Sequence, residues 1–184
     1  MLKKIFNLVI FIISVLAIHA VYKSVRIPVN FTMSVTKEIK ASPSKVFLRA
    51  LTYNSQWDLW HPWKKNDPTF RLQFDGPASG QGSMIFWNSK RRGQGEVSWK
   101  SSEPPFKNSW SVNVSDFGGK WIFDFEIVPD DVDENLVKLI WTISGKRVPM
   151  EKPFWYFFDL EGMLRRDMAA GLENIKVLTE SDGH

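Results

Sequence analysis

Apolar and polar positions divide the chain into three stretches of different period. From Ile5 to Tyr22 the residues are almost continuously apolar, broken only by Asn7, Ser14 and His19 and by no formal charge. A run without a polar face is not a surface helix, and at the helical rise it spans about 27 Å, close to a hydrocarbon core. From Phe31 to Ser144 the period is mostly two, the signature of half-buried strands. From Phe154 to Thr179 the period becomes helical. Phe157, Leu160, Leu164, Met168, Leu172, Ile175 and Leu178 form one stripe, with Arg165, Arg166, Glu173 and Lys176 largely off it.

Within the middle stretch the pattern predicts a strand from Phe31 to Lys40, with Phe31, Met33, Val35 and Ile39 on one face. Ser42 is a natural helix cap and Pro43 fits the first helical position, so a helix follows through Leu51. A second short helix holds Trp57 and Trp60 and stops at Pro62. About six strands then follow, over Thr69–Phe74, Gly82–Trp87, Gln94–Ser102, Lys107–Ser115, Lys120–Val128 and Asn135–Ser144. Turn composition separates them at residues 75–80, in a basic loop at 88–93, at Glu103-Pro104-Pro105, in a hairpin turn at Asp116-Phe117-Gly118-Gly119, and in an acidic turn at 129–134. Hairpin connections of this length give an antiparallel meander whose apolar face needs a cover, and the last helix supplies it. The reading is an α+β chain: a membrane anchor over 1–24, a linker over 25–30 and one domain over 31–180.

The first stretch reads as an uncleaved anchor. Its apolar run exceeds a signal-peptide core, Ala17 and Ala20 are misplaced for a cleavage site, and Lys23 and Arg26 close the far end as Lys3 and Lys4 open the near one. A short basic N-terminus usually stays in the cytoplasm, which puts the domain on the outer face, in the periplasm if the source is bacterial. Asn30-Phe31-Thr32 and Asn113-Val114-Ser115 match the glycosylation pattern, which matters only in a eukaryotic secretory setting.

Composition narrows the chemistry. Net charge is a mild +4 with scattered Lys and Arg, and the aromatics fall on strands buried by pattern, which excludes a nucleic-acid partner. The absence of cysteine removes disulfides, thiolate metal sites and Cys nucleophiles. His19, His61 and His184 do not pair at ligand spacing, and the run Asp130-Asp131-Val132-Asp133-Glu134 lacks the glycine of a calcium loop, so no metal is expected. Gly80-Gln81-Gly82-Ser83 is no nucleophile elbow, and Gly93-x-Gly95 is no dinucleotide fingerprint, so no catalytic residue and no cofactor are assigned. Asp124 and Glu126 fall on the polar side of their strand. His61 reads first as a helix-end histidine bonded locally, and Lys90-Arg91-Arg92 as a solvated loop. What stands out is nine Trp and fourteen Phe, a load that fills a core, lines a pocket, or both. Phe154, Trp155, Phe157 and Phe158 open the last helix and suit a pocket mouth or a patch resting on lipid.

The order of these pieces resembles the START-like helix-grip (SRPBCC) superfamily, in its polyketide cyclase/dehydrase and lipid-transport branch. The residues that carry the resemblance are Ile39-Lys40-Ala41-Ser42-Pro43 with Val46-Phe47, Trp57-Asp58-Leu59-Trp60-His61-Pro62-Trp63, Phe74-Asp75-Gly76-Pro77, Gly80-Gln81-Gly82-Ser83 with Trp87, Gly93-Gln94-Gly95, Leu139-Ile140-Trp141 and Met168 to Lys176. The resemblance covers roughly 31–180 and implies a seven-stranded antiparallel sheet gripping the C-terminal helix around an apolar cavity. Candidate cavity residues are Trp60, Trp63, Trp87, Trp99, Trp110, Phe123, Trp141, Phe158, Leu164 and Met168. The expected partner is a hydrophobic small molecule or lipid, with membrane contact through residues 5–22. The fold carries a binding habit and no fixed reaction. Two other readings stay open: an anchored protein-interaction scaffold with a vestigial pocket, and an enzyme of the cyclase, dehydratase or isomerase kind. The anchor departs from the many soluble members and argues for work at a fixed membrane.

Overall fold

The computed structural model describes residues 2–115, 119–148 and 152–181. The hairpin turn expected at 116–119 lies outside the described residues except for Gly119, as does the side chain of Phe154.

Helix α1 (Leu2–Val25) opens the chain, and strand β1 (Asn30–Ile39) follows after four residues. Ser42 caps α2 (Pro43–Val46), its hydroxyl accepting from the Lys45 amide at 3.4 Å, and a π-helical turn (Phe47–Leu51) continues it. A 3-10 turn (Asn54–Gln56) leads into α3 (Trp57–Trp60), which ends where His61 turns extended ahead of Pro62. Pro62 then starts a further turn, α4 (Trp63–Asn66), that hydrophobic periodicity alone does not reveal.

Six strands follow: β2 (Arg71–Asp75), β3 (Met84–Ser89), β4 (Gly93–Glu103), β5 (Lys107–Val114), β6 (Gly119–Pro129) and β7 (Val137–Lys146). With β1 they form one antiparallel seven-stranded sheet in the order β1-β7-β6-β5-β4-β3-β2. The last strand returns to pair with the first, Asn30 opposite Lys146 and Ile39 opposite Val137. Alternation places the inward residues as the sequence predicts: Phe31 and Met33 on β1, Trp110, Val112 and Val114 on β5, and Leu139, Trp141 and Ile143 on β7 are buried.

The final helix differs from the single long helix that periodicity predicts. It is two helices, α5 (Lys152–Phe157) and α6 (Leu160–Glu180). Asp159 breaks the run with φ at +45° and caps α6, its carboxylate accepting from the Gly162 amide at 3.1 Å. A Cβ at position 162 would sit 2.1 Å from an Asp159 oxygen, so the cap needs glycine there. The break leaves α6 to lie in the sheet with Leu164, Met168, Leu172 and Ile175 buried, while α5 packs on α1.

Antiparallel pairing gives the sheet two distinct ends. The start of β1, the β3–β4 turn, the end of β5, the start of β6 and the end of β7 share one end; the β2–β3, β4–β5 and β6–β7 turns share the other. Helix α6 runs from the first end to the second: Arg165 donates to the Ser34 carbonyl, and the Glu180 carboxylate accepts from the Lys40 amide at 2.6 Å.

Candidate functional site

The half of the grip at the β1-start end is hollow. A cavity of about 550 Å³ lies between sheet and α6, within the ~300–1,000 Å³ range of small-molecule sites. Its sheet wall is Trp87 on β3, Val97 on β4, Val112 and Val114 on β5, Trp121 and Phe123 on β6, and Trp141 and Ile143 on β7. Its helical wall is Trp155 on α5 with Leu160, Met163, Leu164 and Met168 on α6, and Trp57, His61, Pro62 and Trp63 form one side.

Glycines on the strands make room for the large rings. Trp87 lies across Gly95, its partner in register, where a Cβ would meet the indole at 2.2 Å. Trp121 lies across Gly145 in the same way, at 2.6 Å. The indole nitrogens of Trp57, Trp87 and Trp141 are closed off and find no acceptor among the described residues, so polar contacts to a guest must come from elsewhere on the wall.

Those contacts gather at the β3–β4 turn. Lys90, Arg91 and Arg92 line the cavity there, with Asp167 facing them from α6. Arg92 forks onto Asp167, at 2.9 Å through Nη1 and 3.5 Å through Nη2, and its guanidinium lies 5.2 Å from the centre of the Trp63 ring. The Trp63 indole N–H donates to the same Asp167 oxygen at 2.8 Å. Both Asp167 oxygens are therefore engaged, and the trio ties the turn to α6 across the cavity. Behind it the buried Asp67 accepts from the Ser89 hydroxyl and from the Thr69 hydroxyl at 2.6 Å and amide at 2.8 Å. The Ser89 hydrogen bond first, then those of Thr69, hold the Asp67 carboxyl down at about 2. Ser89 in turn accepts from the Arg91 and Arg92 amides at 3.0 and 2.8 Å, fixing the turn from within.

His61 stands on the cavity wall and accepts a long 3.4 Å bond from the Trp63 amide, the local bond expected of it. Its ring stacks on Phe70 at 5.0 Å. Burial, with the Arg92 charge second, pushes the imidazole down to about 3, so it is neutral at ordinary pH and offers hydrogen-bonding nitrogens without charge.

Of the sequence candidates, Trp63, Trp87, Phe123, Trp141, Leu164 and Met168 come together on the cavity wall. Trp60, Trp99, Trp110 and Phe158 do not. Trp60 is fully buried, donates to the Ala50 carbonyl at 2.9 Å and packs on Phe125, which makes it the plug of the opposite half of the grip. Trp110 fills that same region against Trp57 at 5.7 Å. Trp99 points inward further along β4, past the hollow, next to a register shift between Trp99 and Ser101. Phe158 lies at the α5–α6 break and is 66% exposed. The sequence candidates for the cavity omitted His61, Trp57, Trp121, Met163 and the Arg92–Asp167 pair, and Trp155, which lines the cavity, was read only as suiting a pocket mouth or a lipid-facing patch; nothing local links position 92 to position 167.

No protein-family model matches the sequence, and no curated protein does either. Solved structures do match. A point mutant of norcoclaurine synthase from Thalictrum flavum, bound to a transition-state analogue, is 14% identical with a TM-score of 0.62, over 85% of this chain and 98% of that one. A solution structure from Thermobifida fusca is 17% identical with a TM-score of 0.62, over 83% and 95%. The Aha1 dimer from Colwellia psychrerythraea is 20% identical with a TM-score of 0.56, over 83% and 99%. At these identities the likeness speaks for architecture and not for activity. With a seven-stranded antiparallel sheet closed on a long C-terminal helix, the chain has the helix-grip fold that these structures share.

Proposed function

We propose that this chain is a membrane-anchored binding protein for a hydrophobic small molecule or lipid, which it holds between the sheet and α6. The observation that carries the reading is the 550 Å³ cavity, walled by apolar side chains with its charged groups confined to one rim. A core built only for stability would close such a space, because each unfilled volume forfeits packing energy. A norcoclaurine synthase of the same fold has been solved in complex with dopamine and hydroxybenzaldehyde, so this architecture accommodates aromatic guests of that size.

The anchor is α1. Residues Lys3–Val25 are long and apolar enough to cross a bilayer. Its apolar side chains project outward all round, Phe6 at 64%, Phe11 at 66% and Ile18 at 69% exposed, a surface that water penalises and lipid does not. In this reading residues 1–24 anchor, 25–30 connect and 31–180 bind, with the basic N-terminus cytoplasmic and the binding domain on the outer face.

The test is native mass spectrometry of the full-length chain, extracted from its membrane in mild detergent. A discrete apolar adduct on the parent protein, absent from Met168→Trp, is the expected result, because an indole in place of the Met168 side chain occupies the cavity. A protein that carries no adduct and takes up none from a panel of lipids and aromatic amphiphiles would overturn the proposal.

A further inference from the structure

The cavity and the anchor occupy the same end of the domain. Apart from Trp141 at the middle of β7, the strand residues on the cavity wall lie in the half of their strand nearest the β1-start end, and the α6 wall residues, Leu160 to Met168, belong to that helix's first half. The opposite half is filled by Trp60, Trp110, Phe125 and Ile127.

Charge in the hairpin turns is sorted along the same axis, with Lys40, Lys107 and Lys138 lying on the strand ends beside the far turns and not in them. The turns at the far end (residues 75–83, 103–106 and 129–136) carry Asp75, Glu103, Asp130, Asp131, Asp133 and Glu134 and no lysine or arginine. At the anchor end Lys90 and Arg91 in the β3–β4 turn, Lys120 at the start of β6, Lys146 at the end of β7 and Lys23 and Arg26 beside α1 are all exposed. Most carboxylates described at this end are paired within the domain: Asp159 with Arg166 at 3.4 Å, Glu161 with Arg147 at 3.1 Å and Arg165 at 3.0 Å, and Asp167 with Arg92 at 2.9 Å, while buried Asp67 is held by the Ser89 and Thr69 hydroxyls and Glu96 accepts from the Asn113 side-chain amide at 3.4 Å. Asp116 and Glu151 fall outside the described residues.

The joint between anchor and domain is short and pinned. Ala20 and Ser24 of α1 are buried by α5, and Lys152 donates to the Val25 carbonyl at 3.4 Å. Buried Arg147 holds the connection through the Pro28 carbonyl at 3.0 Å and spreads over the rings of Phe31 and Trp155. Beside this joint Tyr156, Phe157 and Phe158 stand 44%, 62% and 66% exposed, and aromatic side chains of this kind favour a membrane interface.

We propose that the anchor end of the domain rests on an anionic phospholipid surface, that of the bilayer α1 enters, with the β3–β4 turn and the cavity rim facing the headgroups. The inference rests on the reading of α1 as an anchor. The basic residues meet the headgroup charge, the exposed α5 aromatics sit at the interface, and the acidic turns point into solvent. An apolar guest then passes between bilayer and cavity without crossing open water.

The chain has no cysteine, so single-cysteine labels report one position each. The full-length chain is placed in vesicles of mixed neutral and anionic phospholipid. An environment-sensitive fluorophore is attached in turn through Lys90→Cys, Lys146→Cys, Glu103→Cys and Asp131→Cys, and quenching by headgroup-labelled lipid is read. Lys146 adjoins the anchor. Lys90 is the discriminating site, because the β3–β4 turn lies five strand spacings from β1, roughly 24 Å along the sheet. Quenching at Lys90 and Lys146 but not at Glu103 or Asp131, with the Lys90 signal lost in neutral vesicles or high salt, is expected. A Lys90 label unquenched, or quenched no more than Asp131, in a chain that alkaline carbonate leaves in the membrane would overturn the docking surface while sparing the anchor. Release by carbonate would overturn both. Amide exchange on the unlabelled chain, slowed at 89–93 only on anionic bilayers, reads the same contact without any substitution.

Discussion

Asp167 is where α6 and the β3–β4 turn are held together, and replacing it tests the construction of the site directly. Asp167→Ala removes a forked ion pair to Arg92 and the acceptor of the Trp63 indole N–H. Hydrogen bonds to a charged group contribute about 1.5–3 kcal/mol each when well buried. Here the side chains of Arg92 and Asp167 are 25% and 19% exposed, so solvent takes back part of that. A net loss of about 2–3 kcal/mol follows, part of it from Trp63, which is left with a half-buried N–H and no partner. For a chain of this size that lowers Tm by about 5–10 °C. Asp167→Asn, which keeps one acceptor oxygen, costs about half as much. A double-mutant cycle with Arg92→Ala isolates the pair, with an expected coupling of about 1–2 kcal/mol. The assay is thermal unfolding of the detergent-solubilised chain followed by near-ultraviolet circular dichroism, which the clustered tryptophans make sensitive. A loss under about 0.5 kcal/mol for Asp167→Ala, together with no coupling to Arg92, would refute the view that this pair braces the cavity rim.

Three further outcomes follow from the same geometry. His61 is neutral in the folded protein with its imidazole pushed to about 3, whereas the unfolded chain protonates it near 6.5. The unfolded state therefore binds more protons between those values, and stability falls as pH drops through that window and levels off below it. Denaturant titrations at several pH values should show this slope, and His61→Gln should flatten it above the region where Asp67 begins to protonate. Trp60→Ala, in the filled half, is expected to cost about 3–5 kcal/mol and to leave the cavity walls in place, so equilibrium unfolding shifts strongly while the apolar adduct in native mass spectra persists whenever the variant is folded. Gly95→Ala drives a methyl group into the Trp87 indole, and the expected result is weaker retention of the adduct with a shifted Trp87 environment in the near-ultraviolet spectrum; unchanged retention would remove Trp87 from the guest's wall.

Much of the fold is legible in the residue pattern, for reasons that act locally. Strand alternation depends only on which face of a pleat a side chain leaves, so Trp110, Val112 and Val114 and their neighbours on β6 and β7 could be turned inward without knowing what they met. Ser42-Pro43 specifies a helix start through its own hydroxyl and ring. The break at Asp159 was hidden, because helical periodicity runs through it and a left-handed aspartate leaves no mark on the pattern beyond Gly162 three residues later.

The site lies at the limit of such reasoning. The sequence makes Trp60, Trp63, Trp87 and Trp110 cavity candidates alike, yet two of them fill the interior and two border an empty space. That choice depends on volumes contributed by elements far apart in sequence: the short helices fill one half of the grip, and Gly95 and Gly145 let Trp87 and Trp121 lie flat around the other. The pairing of Arg92 with Asp167, and the sorting of basic and acidic turns to opposite ends, likewise follow from β7 returning to β1 and from α6 crossing the sheet. The sequence by itself determined the apolar first helix, the strand faces and the need for a covering helix, because each is a property of neighbours along the chain. Only the tertiary structure decided where the interior is hollow and which charges stand at its rim, because packing density and ion pairing are settled between residues that meet only when the sheet closes on its helix.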